Sequence, residues 1–281
     1  MALPFTDRTW LWLAAALYLA GFVQGSIALF KRGRPAGGAT YALILLGYLV
    51  QLAGLGLRGR AVGGCPLGNS FELYQFTAWS AITLYLVVGA TFRLSLLGYF
   101  TACLASTVTL VSLLFPGWDA DQRIRIFGPD PWIELHAALA VFSYGVFALL
   151  ALTSLMFLLR HFSLKSKRLG GWFSFLPSIR DLDDMGVRLL AAGAAILGFA
   201  LAVGAVYWAR PETVVNLEKI LVTVAVAGSA FVLLLLRLRG LLLARRFAVA
   251  CLFLFVAALV SLVTVEPGRG RAPAKPAPTA R

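Results

Sequence analysis

Charge is what this 281-residue chain lacks most: Asp, Glu, Lys and Arg make up 13% of it, against 60% hydrophobic residues. A soluble domain cannot hide that much apolar surface, so the composition points to an integral membrane protein. Carboxylates are scarce, and none sits mid-way along an apolar stretch, which argues against a proton relay or an ion-coupled transporter. Histidine occurs only at His136 and His161, and the three cysteines are scattered, so a zinc or other metal centre built from clustered ligands is disfavoured. There is no phosphate-binding loop, no nucleophile elbow and no soluble segment long enough to fold alone. The net charge of +13 therefore has no polar domain to present it as a nucleic-acid-binding face. No pair of Gly/Pro-broken helices marks a midplane cavity, which makes a small-solute transporter the weakest reading.

What is present is length in apolar runs. A helix needs about 20 apolar residues to cross the bilayer core. Eight stretches free of Asp, Glu, Lys and Arg meet or approach this: 10–30, 36–57, 73–92, 94–118, 135–159, 189–209, 220–236 and 247–265. The first is too long, and too poor in preceding positive charge, for a cleaved signal peptide. The expected fold is an all-α integral membrane protein, a bundle of about eight transmembrane helices. Residues 1–265 form one polytopic domain, and an Ala/Pro-rich tail, 266–281, is extended or disordered. Segments after the odd-numbered stretches carry fourteen Lys and Arg, and the opposite side carries seven without the tail. The positive-inside rule then puts both termini outside the cytoplasmic membrane.

Cys103 and Cys251 fall inside apolar stretches and read as packing residues, whereas Cys65 lies in an outside loop. The interior polar residues Gln51, Gln75, Ser80, Thr107, Thr109, Ser143 and Tyr144 suit hydrogen bonds between helices. Glu72, Glu218 and Lys219 lie at stretch ends, where side chains reach water. The segment 160–188 turns from basic to amphipathic and suits a short helix in the interface. The segment 116–134, with Pro116, Gly117, Gly128, Pro129 and Pro131, reads as an irregular outside cap. Trp10, Trp12, Trp118, Trp132, Tyr207 and Trp208 fit an interfacial aromatic belt, and aromatic walls also suit haem. His136 opens the fifth stretch at the outer surface. It is either an interfacial histidine bonded to a carbonyl or to Glu134, or an axial ligand for haem iron. His161, in the basic inside segment, reads as a solvated residue.

Ordered landmarks run along much of the chain. They are Pro66-Leu67-Gly68-Asn69, Glu72, Phe76 and Trp79-Ser80; then Trp132, Leu135-His136 and Ser143-Tyr144. After these come Leu182-Asp183, Arg188, Gly193, Leu197, Gly204-Ala205-Val206 and Trp208-Ala209, and the basic turn from Arg237 to Arg246. Over residues 66–265 the chain resembles the CcsA/ResC-type cytochrome c assembly family, and within it the shorter HemX-like and YpjD-like members. That resemblance implies a bacterial inner-membrane protein of cytochrome c biogenesis or haem handling, with haem as a transient cofactor. In that family an outside histidine pair flanks a tryptophan-rich segment that presents haem to apocytochrome c, and a second pair lies in the membrane. His136 matches one of the outside pair, with Trp132 and Trp208 as candidate haem-face aromatics. The tryptophan-rich segment is missing, since only Arg210-Pro211-Glu212-Thr213 follows Ala209. Leu236-Arg237-Leu238-Arg239 stands where a membrane histidine is expected. The resemblance thus implies no independent catalytic activity. The expected partners are the lipid bilayer, haem, and a ResB-like membrane protein or apocytochrome c. The alternative is a non-catalytic scaffold or regulator, HemX-like, that has lost haem transport.

Overall fold

The computed structural model describes residues 6–30, 37–92, 95–120, 124, 130–167, 176–208 and 217–265. Its elements are α1 (Asp7–Phe30), α2 (Gly37–Val62), α3 (Ser70–Phe92), α4 (Ser95–Leu114), a 3-10 turn (Pro116–Asp119), α5 (Pro131–Lys165), α6 (Ile179–Trp208), α7 (Leu217–Leu238) and α8 (Ala244–Val265). Among the described residues there is no strand, and each expected apolar stretch is a helix. Six helices, α1, α2, α5, α6, α7 and α8, are long and apolar enough to cross a membrane. The protein is a multi-pass helical membrane protein. We call the end of the bundle where α1 starts the near end, and the opposite end the far end. The tail 266–281 and the segment between α6 and α7 lie outside the described residues.

Helix starts are written in the local sequence. Asp130 accepts a hydrogen bond from the Trp132 backbone N–H at 3.1 Å, and Pro131 takes the first helical position of α5. Asn69 Oδ1 accepts from the Glu72 N–H at 2.9 Å, and Glu72 reaches back to the Gly68 N–H at 2.6 Å, a variant of the capping box. Ser178 does the same for α6, accepting from the Asp181 N–H at 3.1 Å and donating to its carboxylate at 2.6 Å.

These caps account for the main difference from the sequence reading. The amphipathic residues Ile179 and Leu182 do not form a separate interfacial helix; they are the first turns of α6, with Leu182, Met185 and Leu189 buried at helical spacing. Residues 160–165 continue α5, and Trp172, Phe173 and Phe175 lie outside the described residues. The 116–134 cap likewise contains regular pieces, the 3-10 turn and the first turn of α5.

Helix α5 is the axis of the bundle: 78% of its span is buried, against 17% for α7 at the rim. It packs on α3 to one side and on α6 and α8 to the other. The approach to α3 is closest at Gly145, where a Cβ would lie 1.8 Å from Ser80 Oγ and 2.8 Å from the Ala81 nitrogen. Small residues that let backbones touch are a normal means of helix association in lipid. A polar chain joins the first four helices: Tyr18 donates to Gln51 Oε1 (2.9 Å), Gln51 to Gln75 Oε1 (2.9 Å), and Gln75 to Ser112 (2.9 Å). Tyr144 and Ser261 are hydrogen-bonded at 3.0 Å between α5 and α8. Ser143 and Ser80 instead bond to carbonyls of their own helices.

Candidate functional site

His136 lies at the near end, in the second turn of α5, and its ring is held by α6. Its Nδ1 is 2.6 Å from the Ala200 carbonyl oxygen. A carbonyl can only accept, so Nδ1 carries the proton and donates it. In the neutral ring the remaining lone pair is then on Nε2. One turn along α6, Gly204 makes room for the same ring: a Cβ there would lie 2.6 Å from His136 Cε1 and 2.8 Å from Nδ1. A histidine with one nitrogen bonded to a backbone carbonyl is oriented as metal-ligating histidines are. Trp132 is four residues earlier on the same face of α5 and 56% exposed. Trp208 is four residues beyond Gly204 on α6, and its side chain lies outside the described residues.

The α2–α3 loop is tied to the same turn of α5, because the Cys65 N–H donates to Glu134 Oε1. Burial, reinforced by Glu134 and then Glu72, pushes the Cys65 thiol up to about 12, so it stays protonated and is a poor source of a thiolate ligand.

Beside this loop is a buried cluster of charges. The Arg58 guanidinium, 1% exposed, donates to Glu72 at 2.7 Å, to Asp7 at 2.8 Å and to Asp119. Arg8 adds a second contact to Asp119 at 2.9 Å, and both arginines lie over the Phe71 ring. The cluster binds α1, α2, α3 and the 3-10 turn together. Glu72 thus does not reach water, as its position at a stretch end implied. It is 1% exposed and paired. Glu218 is exposed at the first turn of α7, and the Lys219 side chain lies outside the described residues.

At the far end, Arg237 pairs with Asp183 across α6 and α7, donates to the Leu242 carbonyl at 2.7 Å and lies over Phe247. This pair occupies the position where the resemblance led one to expect a membrane histidine. His161 stacks on Phe157 near the end of α5. At a 1.5 Å rise per residue it is roughly 37 Å from His136, so the two cannot share one metal. Among the described residues no group of three or more His, Cys, Asp and Glu could hold a metal ion.

A family model described as Cytochrome C assembly protein matches residues 67–213, just over half of the chain. The chain belongs to that family. Among relatives, Protein HemX of Bacillus subtilis (strain 168) is 27% identical over 227 residues, covering 80% of this chain and 77% of that protein. Protein HemX of Brevibacillus brevis is 26% identical over 195 residues, covering 69% and 71%. The cytochrome c biogenesis protein CcsA of Chlamydomonas reinhardtii is 25% identical over 160 residues, covering 55% of this chain and 44% of that one. The match begins at Leu67, so it includes the Asn69–Glu72 cap, His136 and Gly204 and leaves out Asp7 and Arg58.

Sequence reasoning singled out His136 and gave a backbone carbonyl as one possible partner. The structure supplies that carbonyl from Ala200 and not Glu134's carboxylate among the contacts described, and adds the seat at Gly204. Gly204 stood among the landmarks, but its pairing with His136 exists only once α5 and α6 are packed. The Arg58 cluster was missed because Arg58 sits past an apolar run and reads as a topology signal. Its partners lie 51, 14 and 61 positions away.

Proposed function

We propose that this protein handles haem for cytochrome c biogenesis in a bacterial inner membrane, with the near end and both termini outside. His136 would hold the haem iron through Nε2, with Trp132 and Trp208 as the candidate aromatics of the site. The observation that carries this reading is the His136 ring fixed by the Ala200 carbonyl and seated against Gly204. When bound, haem supplies an iron that accepts imidazole nitrogen. The chain's part is to orient the ring through the Nδ1 hydrogen bond to the Ala200 carbonyl. A second ligand comes from water or from a partner such as a ResB-like membrane protein, with apocytochrome c as acceptor. Independent catalytic activity is not expected. Residues 1–265 act as one membrane domain, with 266–281 as an extracytoplasmic tail.

The test is the absorption spectrum of the purified protein, alone and with a ResB-like partner. A Soret band in the wild type, lost in His136→Ala and weakened in Gly204→Ala, is expected. A band unchanged in His136→Ala moves the ligand elsewhere.

A second reading is a HemX-like scaffold or regulator that binds no haem. The coverage of both HemX proteins favours it, as does the ion pair Asp183–Arg237 in place of a membrane histidine. Absence of a band in every preparation selects this reading.

A further inference from the structure

A groove of about 460 Å³ opens at the far end between α5 and α8, lined by Leu158, His161, Phe162, Lys165, Ser166 and Arg245. This is within the roughly 300–1,000 Å³ of ligand clefts. It lies at the opposite end of α5 from His136 and is used by nothing described above. Residues 158, 161, 162 and 165 fall at i, i+3, i+4 and i+7, one stripe of α5. Along that stripe the chemistry is graded. Leu158 lies deepest, then the His161 ring and Phe162, which is 58% exposed, and Lys165 stands at the tip. Arg245, in the first turn of α8, adds a second cation from the facing helix. Both cations are exposed, and neither is ion-paired among the described residues.

Electrostatics favour an anion here. The start of α8 brings the positive end of its dipole to the groove. The carbonyl end of α5 opposes it with about half a charge, and two full cations outweigh that. A small inorganic anion would leave the apolar half of the groove without a function. An amphiphile with a charged head and a hydrocarbon tail uses both halves.

We propose that this groove is a binding site for an anionic phospholipid. The phosphodiester sits between Lys165, Arg245 and His161, and an acyl chain runs along Phe162 and Leu158. Basic pockets between helices are established sites for anionic headgroups, and each Lys or Arg near a membrane surface contributes about five-fold to such binding.

The experiment is native mass spectrometry of the full-length protein from membranes containing phosphatidylglycerol and phosphatidylcholine in equal amounts. Retention of phosphatidylglycerol over phosphatidylcholine is expected. It should fall about five-fold for each cation removed in Lys165→Gln and Arg245→Gln. A charge-matched pair at the same end, Arg180→Gln with Arg239→Gln, should leave retention unchanged. Phe162→Ala tests the acyl half without altering charge, and it keeps the proposal testable if the double variant does not fold. Equal retention of the two lipids, or an equal loss in the charge-matched control, overturns the proposal. So does binding of inorganic phosphate with no lipid preference, which would make the source a free anion. A Soret band that displaces the lipid and disappears in His161→Phe would assign the groove to haem instead.

Discussion

Arg58 is surrounded by three carboxylates, from Asp7, Glu72 and Asp119, in a place where it is 1% exposed. Removing the cation leaves negative charge buried without its partner, a change that costs about 3–5 kcal/mol where measured. Arg58→Met is expected to lower stability by that order, read as the thermal unfolding midpoint in detergent. Arg58→Lys, which keeps the charge and loses the fork of donors, should lie between. At Cys65 the pH dependence follows from burial. A thiol at about 12 instead of its ordinary 9.0 keeps the folded protein protonated. Its contribution to stability is full below pH 9 and is lost as pH rises from there through 12. At pH 8 the buried thiol stays protonated. Alkylation of Cys65 by iodoacetamide at that pH should therefore be slow in the native protein and fast after denaturation, followed by mass spectrometry in a Cys103→Ser, Cys251→Ser background. At this scale the sequence named His136 and allowed it a backbone carbonyl partner, but not which one, since Ala200 is 64 positions away and no side chain announces the contact.

The helices follow from composition, and their ends follow from caps and pairs. The apolar runs located all eight. The runs began α6 ten residues late, because charge at Asp181, Asp183 and Asp184 reads as a break. Ser178 and the Asp183–Arg237 pair make those residues compatible with a helix. Contacts between helices were not legible in the runs. Gly145 is an example, since only the packed structure brings Ser80 and Ala81 against it. Gly145→Ala should destabilise the bundle by about 1–3 kcal/mol through overpacking. Adding Ser80→Ala should restore little, because the Ala81 nitrogen and Ser80 Cβ, each 2.8 Å from the new methyl, remain. Thermal midpoints of the single and double variants check this.

For the whole molecule, the bundle separates two chemistries along α5. The near end holds the oriented imidazole and the paired arginines Arg8 and Arg58, and the far end holds the Asp183–Arg237 pair and the exposed Lys165 and Arg245. This bears on orientation. Arg8 and Arg58 counted as positives on the outside, yet both are paired with carboxylates. The positive-inside rule counts Lys and Arg whether or not they are paired, so these two still count on the outside, and the proposed topology, with the far end cytoplasmic, rests on the distribution of Lys and Arg along the sequence. Alkaline phosphatase fused after Gly63 should be active, and fused after Lys167 inactive. The reverse pattern would invert the proposed topology.

Imidazole rescue distinguishes whether His136 ligates haem iron at the near end. His136→Gly removes the ring and leaves a space of its shape beside Gly204. This variant should lack the Soret band of the wild type and regain it when imidazole is added, while methylimidazoles too bulky for the space fail. A wild-type band that survives in His136→Gly without imidazole would contradict the claim.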